Sequence, residues 1–194
     1  MIYAQLVLAS SSAYRRGLLE RLGLPFEVIS PDVDEAPLPG EHAEHTALRL
    51  AEAKARAVAP RAPGKLVIGS DQVAEVDGAH IGKPGDHDTA LRQLHSVRGK
   101  RVVFHTALCV CDTTSGRLQL VNVPTTVQFR HFTDEQVERY LARERPYDCA
   151  GSARIEALGI ALVERVVSDD PTALIGLPLI RLVTMLQNER VNVV

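Results

Sequence analysis

The sequence predicts an α/β protein on a mixed sheet, and three features carry that prediction. Short apolar runs alternate with segments of helical spacing along the chain. β-Branched residues dominate from Arg101 to Arg130 around a turn at Thr113 to Gly116, which reads as a long hairpin and makes the sheet mixed instead of wholly parallel. The chain has 194 residues, 45% hydrophobic and 24% charged, enough to bury the core of one domain spanning 1–194 in one or two lobes.

Taken in order, Gln5 to Ala9 is a first strand, followed by the small polar run Ser10, Ser11, Ser12 and a helix marked by Leu18, Leu19 and Leu22 that stops at Gly23. Phe26 to Ile29 reads as a second strand, leading into an acidic, proline-bounded loop from Pro31 to Pro37. A long helix from about His42 to Ala59 carries Lys54 among its apolar positions. Leu66 to Gly69 is a short buried strand ending in Ser70, Asp71 and Gln72. Asp77 and Gly78 signal a hairpin turn before His80 to Lys83. Asp88 is the predicted cap of a helix through His95, and Thr133 with Gln136 forms a capping box for a helix carrying Val137, Tyr140 and Leu141. Cys149 to Val167 has a strand-like pattern with glycines, and Pro178 to Gln187 the spacing of a final buried helix.

The bulk numbers exclude several classes. A formal charge of -2 gives no basic field for a nucleic-acid polymer, so phosphate affinity must come from a few cations placed locally. No apolar run approaches the roughly 20 residues of a membrane span, and the first residues lack the basic leader of a secretory signal. The three cysteines are odd in number, Cys109 and Cys111 fall on one face of a strand, and no CxxC or HExxH spacing occurs, so inert thiols in a reducing cytoplasm are expected.

Three stretches hold groups suited to phosphate chemistry. Leu8 to Arg16 joins hydroxyls, Arg15 and Arg16 to a helix start, where backbone N–H groups favour an anion. Serines before a helix are also ordinary N-caps, and no Walker pattern occurs. Asp71 follows directly on an apolar strand, the place where α/β folds put catalytic groups, although a lone aspartate more often caps a turn. Asp32, Asp34 and Glu35 offer hard oxygen ligands for magnesium or manganese, or form a solvated acidic loop. Lys54 and Lys83, either of which alone reads as a surface residue, would supply cations toward a transferred phosphoryl group.

In order, LASSSAYRRGLLERLG, VDE, LAEAKA, VIGSDQV, IGKP, CAGSARIEALG and IGLPL resemble the Maf family of nucleotide pyrophosphatases, from Leu8 to Leu179. The resemblance implies a mixed sheet in two lobes around a deep cleft (Maf/ITPase-like), a divalent metal (Mg, Mn or Co), a homodimer, and cleavage of a nucleoside triphosphate to monophosphate and pyrophosphate. It implies phosphate binding by Ser10 and Arg15, a catalytic base at Asp71, and polar cleft roles for Glu35, Lys54 and Lys83, with Glu35 the metal ligand. Ala13 stands where the family usually has proline, which loosens the loop but removes no reactive group. Tyr14, Gln72 and Glu156 occupy three positions that set base choice, and this aromatic, glutamine, glutamate set resembles the 7-methyl-GTP branch. Members acting on dTTP and UTP carry arginine, threonine and glutamine there. Two rival expectations are such a pyrimidine triphosphatase and a nucleotide-binding cell-division regulator with vestigial hydrolysis.

Overall fold

A computed structural model describes residues 6–194, so Gln5 of the predicted first strand lies outside the described residues. The strands are β1 (Leu6–Ala9), β2 (Phe26–Val28), β3 (Leu66–Val76), β4 (Ala79–Ile81), β5 (Arg101–Asp112), β6 (Leu118–Phe129) and β7 (Val163–Ser168). The helices are α1 (Ala13–Glu20), α2 (Ala43–Val58), α3 (His87–Val97), α4 (Asp134–Glu144) and α5 (Leu179–Asn188). Among the described residues the strands hydrogen-bond in the order β2-β1-β3-β5-β6-β7, with β4 also paired to β3. β1 runs parallel to β2 and β3, while β3/β4 and β6/β7 are antiparallel. The sheet is mixed, as the sequence predicts.

The chain divides into two compact units. The first comprises the described residues through Asp71, 106–123 and 170–194. Its core joins Leu6 and Leu8 of β1, Leu18 and Leu19 of α1, Ile68 of β3, and Leu182 and Leu186 of α5, all almost fully buried. α2 lies against β3 at one special point. A Cβ at Gly69 would fall 2.3 Å from the Ala51 carbonyl oxygen and 2.9 Å from the Ala55 nitrogen, so only glycine lets helix and strand approach this closely.

The second unit comprises 72–105 and 124–169. Its buried residues include Leu94 of α3, Phe104 of β5, Phe129 of β6, and Val137 and Leu141 of α4. The capping box at Thr133 and Gln136 forms as the spacing requires, and Asp77 and Gly78 both take positive φ in the β3/β4 turn.

Three local expectations are corrected. β3 does not stop at Gly69 but continues through Ser70, Asp71 and Gln72 to Val76. β1 ends opposite Gly69, but β3 is also hydrogen-bonded to β5 on its other side, and from Ala74 it pairs with β4. Asp71 therefore lies inside a strand, at the level where its parallel neighbour β1 has given way to the Ser10 loop. The cap of α3 is Asp86, whose carboxylate accepts from the Thr89 N–H at 2.8 Å, while Asp88 sits in the first turn. Between Cys149 and Val163 the chain forms two 3₁₀ segments, Ala150–Ser152 and Leu158–Leu162, and only Val163–Ser168 is strand.

Candidate functional site

In the first unit the site starts from the close approach at Gly69. Residues 69 and 71 share a face of β3, so the helix packed on Gly69 also overlies Asp71. Lys54, one turn of α2 beyond Leu50 and Ala51, reaches the Asp71 carboxylate with its ammonium 2.6 Å from Oδ1. The same ammonium lies 2.7 Å from Oε1 of Glu35. Lys54 and Asp71 are both buried, and Glu35 is about half exposed. An ammonium withdrawn from water is tolerated only with such partners, and leaving either group unmatched would be strongly destabilising.

The loop bearing Glu35 is tied to α2 by a further charge cluster. Glu41 accepts from the Arg49 guanidinium at 2.7 Å through each oxygen, from Thr46 Oγ1 at 2.9 Å and from the Leu38 N–H at 3.0 Å. Arg49 also donates to the Ala36 carbonyl at 3.1 Å. The paired guanidinium holds the Glu41 carboxyl at about 2, well under its ordinary value.

Ser12 is the N-cap of α1, its hydroxyl accepting from the Arg15 N–H at 3.3 Å, and Ser10 Oγ accepts from the Ser12 N–H at 3.1 Å. Part of the serine run thus serves ordinary capping. Ala13 is the first helical residue, where proline would cost no hydrogen bond. Arg15 donates its Nε–H to the Gly176 carbonyl at 2.9 Å, which orients the guanidinium. Burial pushes the Arg15 pKa below its ordinary value, while the charges of Asp71 and Glu35 oppose that shift. The first unit therefore gathers Arg15, Glu35, Lys54 and Asp71 into a set of alternating charges, and Ser10 follows directly on β1, whose last residue pairs with Gly69 of β3.

Glu35 and Asp71 already share one cation, Lys54 Nζ, at hydrogen-bond distance. Two hard carboxylate donors so placed fit a divalent ion of the magnesium type, which binds one or two carboxylates and leaves its other positions to water and phosphate oxygens. Among the described residues no cluster of three or more His, Cys, Asp or Glu would enclose a metal with protein ligands alone. Cys109 and Cys111 are buried free thiols in β5, and burial pushes Cys109 up to about 12, so it is an inert core group.

Sequence reasoning missed the support behind Arg15. The Gly176 carbonyl also lies 3.0 Å from Ser70 Oγ, a buried hydroxyl 2.8 Å from the Ala107 carbonyl. Gly176 has φ +119, a conformation that favours glycine. The 3₁₀ turn before it is fixed by Asp170, a buried carboxylate accepting from the Thr172 N–H at 2.9 Å, Thr172 Oγ1 at 2.6 Å and the Ile180 N–H at 2.8 Å. Thr172 Oγ1 in turn accepts from the Leu179 N–H at 2.8 Å, and Thr106 Oγ1 donates to the Ala173 carbonyl at 2.9 Å. The signal available in the sequence was an Asp-Pro-Thr turn six residues before a glycine, a pattern of local side-chain bonding to backbone.

The second unit carries the remaining candidates. Gln72 is half-buried on β3, and Lys83 is exposed just after β4 and forms no ion pair among the described residues. Glu156 lies on a tight loop closed by the Ala157 and Gly159 N–H groups, both donating to the Arg154 carbonyl at 3.1 and 3.0 Å. A Cβ at Gly159 would meet that carbonyl at 2.6 Å, so the loop needs glycine there. The Glu156 carboxylate lies 3.5 Å from Arg154 Nε, and Arg154 also bonds Glu144 at 3.1 Å. Tyr14, back in the first unit, is a half-buried ring in the first turn of α1.

Residues 5–189 match the family described as Maf-like protein. A 7-methyl-GTP pyrophosphatase of Ralstonia nicotianae is 60% identical over 183 residues, covering 94% of each chain. A protein of the same name from Methylobacillus flagellatus is 58% identical, covering 97% of this chain and 98% of that one. Both alignments run through the two units, so the likeness is to whole proteins. Among solved structures, the Staphylococcus aureus Ham1 protein aligns with 66% of this chain and 72% of its own at 17% identity and a TM-score of 0.46. At that score the fold assignment rests on the family match and the observed sheet.

Proposed function

The chain belongs to the Maf-like family, and from that premise we propose that it is a nucleoside triphosphate pyrophosphatase acting on 7-methyl-GTP, its two units being lobes of one Maf-like domain. The observation that carries the chemistry is the buried ammonium of Lys54 held between Asp71 and Glu35, with Arg15 charge-coupled to both carboxylates. The substrate rests on the names of relatives at 58 and 60% identity, together with Tyr14, Gln72 and Glu156.

In this reading Asp71 takes a proton from water as its oxygen attacks the α-phosphorus. The bond from that phosphorus to the bridging oxygen breaks, giving 7-methyl-GMP and pyrophosphate. Lys54 holds the Asp71 carboxylate in place, and Arg15 and Lys83 offset charge building on the phosphate oxygens, with Ser10 assisting at the phosphate. A magnesium, manganese or cobalt ion held by Glu35 and the substrate's own phosphate oxygens would neutralise the leaving pyrophosphate. Methylation at N7 gives guanine a delocalised positive charge. Tyr14 offers that ring a π face, Glu156 accepts from N1–H and the exocyclic amine while balancing the charge, and Gln72 donates to O6. A homodimer in the cytoplasm completes the proposal. Free thiols fit a reducing compartment, and no helix among the described residues is long and apolar enough to cross a membrane.

The test is a substrate panel with product analysis. Hydrolysis should run 7-methyl-GTP above GTP and both far above dTTP or UTP, with pyrophosphate released and activity abolished by excess EDTA. Exchanging Tyr14→Arg, Gln72→Thr and Glu156→Gln together should move preference toward dTTP and UTP. Release of single orthophosphates would sink the pyrophosphatase reading. A wild-type preference for dTTP would sink the base assignment alone.

A further inference from the structure

The second unit contains a cavity of about 230 Å³ that none of the proposed catalytic or base-reading residues lines. One wall is a single face of α4, where Gln136, Arg139, Tyr140 and Arg143 recur at helical spacing. Arg130, from the end of β6, brings a third guanidinium. The apolar lining includes Phe132, Tyr140 and Leu162, each almost fully buried.

The charge balance of this cavity is one-sided. No carboxylate lines it, and Arg130 and Arg143 form no ion pair among the described residues. Arg139 has Glu135, one turn away, as a partial counter-charge. Glu144, the nearest acid after Arg143 in the chain, is committed to Arg154 at 3.1 Å and to the Leu158 N–H at 3.2 Å. Arg139 and Arg143 stand four residues apart on a helix, an arrangement that disfavours the helix through repulsion unless an anion lies between them. The Tyr140 hydroxyl accepts from the Arg154 N–H at 2.9 Å, so this residue serves the cavity through its ring.

We propose that this cavity is a binding site for a small organic phosphate, a phosphate monoester on a planar apolar body. A monoester carries nearly two charges and three acceptor oxygens at neutral pH, matching several guanidinium forks, whereas a carboxylate satisfies one. The apolar side chains accept the body. The volume lies below the roughly 300 to 1,000 Å³ of sites that enclose drug-sized ligands, so a ring and one phosphate fill it and a whole nucleoside triphosphate does not.

The probe is phenyl phosphate, added to the full-length protein with isotopically labelled arginine while the Nε–H signals are followed by NMR. Signals of Arg130, Arg139 and Arg143, assigned by their loss on substitution, should shift and saturate. Phenyl phosphate should do this at concentrations at least about tenfold lower than inorganic phosphate, from burial of the ring, and lower than benzoate. Arg139→Gln with Arg143→Gln should weaken this binding at least about tenfold and leave 7-methyl-GTP turnover unchanged. Arg143→Lys, which keeps the charge and loses the fork, should weaken it severalfold and serves if the double variant does not fold. The proposal is overturned by unshifted signals at millimolar phenyl phosphate, by equal affinity for phenyl phosphate and inorganic phosphate, or by undiminished binding in folded variants. It is equally overturned if these signals move with protein concentration and not with ligand, since a second copy of the chain would then cover the cavity. The pyrophosphatase reading stands or falls separately, on the substrate panel.

Discussion

The two units hold their candidate residues in different ways. In the first, the side chains themselves are fixed: Lys54 between two carboxylates, Arg15 on the Gly176 carbonyl, and the loop of Glu35 tied through Ala36 and Glu41 to Arg49. In the second, the side chains of Glu156 and Lys83 are offered with less prior bonding. The loop of Glu156 is pinned through the Arg154 carbonyl, yet its carboxylate has only a 3.5 Å contact with Arg154, and Lys83 is exposed. In the proposed reaction, proton transfer to Asp71 and charge stabilisation by Arg15 demand placement within a few tenths of an ångström, which prior bonding supplies, whereas Lys83 is placed only once substrate binds. Base recognition tolerates exchange of a side chain on a fixed loop. Under the proposed function, this difference would let exchanges at the base-reading positions change the substrate without disturbing Asp71, Lys54 and Arg15.

The largest expected effect tests the fixed side of that contrast. In the proposed mechanism Asp71 is the proton acceptor. Asp71→Asn keeps an oxygen for Lys54 but removes its charge partner, so stability should fall while the protein stays folded at 25 °C through the remaining Glu35 contact. Turnover of 7-methyl-GTP should fall by roughly 10² to 10⁴. Glu156→Gln, on the offered side, should change turnover of plain GTP only a few-fold and chiefly narrow the gap between methylated and plain substrate. Steady-state kinetics on both variants, with circular dichroism to verify folding, decide the matter. Comparable losses in the two would erase the distinction.

A middle-sized effect is expected behind Arg15. Thr172→Val removes the hydroxyl that bonds Asp170 and accepts from Leu179, loosening the turn that presents the Gly176 carbonyl. Stability should drop by about 1 to 3 kcal/mol, the cost of leaving buried partners unmatched. Well below the melting temperature, KM should rise several-fold and kcat fall by about tenfold, since Arg15 is proposed both to bind the phosphate and to offset charge that builds in the transition state. Thr172→Ser should restore all three. A stability loss with unchanged KM and kcat would reduce this network to scaffolding.

Local rules made much of the fold readable from sequence. Thr133 and Gln136 are a capping box, Asp77 and Gly78 a tight turn, and Thr113 to Gly116 a hairpin bend, because each is decided by residues within four positions. What sequence concealed was decided across the chain. A strand running through Ser70, Asp71 and Gln72 contradicts the local preferences of those residues and exists because distant β5 is the neighbour of β3 and Lys54 supplies a counter-charge to Asp71. The helical cap moved from Asp88 to Asp86, both equally suitable by type, because only Asp86 precedes the first turn. Within the site, Asp71, Lys54 and Arg15 could be named from their neighbourhoods, whereas the bond from Arg15 to a carbonyl 161 residues later could not.

The smallest expected effect on turnover, and the sharpest test of whether the Glu35 loop belongs to the fixed region, comes from Glu41. Its carboxyl titrates at about 2 in the folded chain, against an ordinary value of 4.5, chiefly because Arg49 donates to both oxygens. A depressed pKa means that the ionised form is bound more tightly in the folded state. The resulting stability is complete above about pH 4.5 and is lost progressively as pH falls toward 2. The side chain is 11% exposed while Arg49 is 31% exposed, so solvent screening trims the contribution to the order of 2 kcal/mol. Glu41→Gln should therefore lower the melting temperature by about 4 to 8 °C at pH 7, and the gap should shrink steadily between pH 4.5 and 3. Since Glu35 keeps its own bond to Lys54, turnover at 25 °C should stay within about threefold of wild type, far less than general-base loss produces. A gap that persists unchanged at pH 3 would mean that Glu41 acts by packing and not by charge. A turnover loss rivalling that of Asp71→Asn would mean instead that the tether at Ala36 is part of the reaction centre.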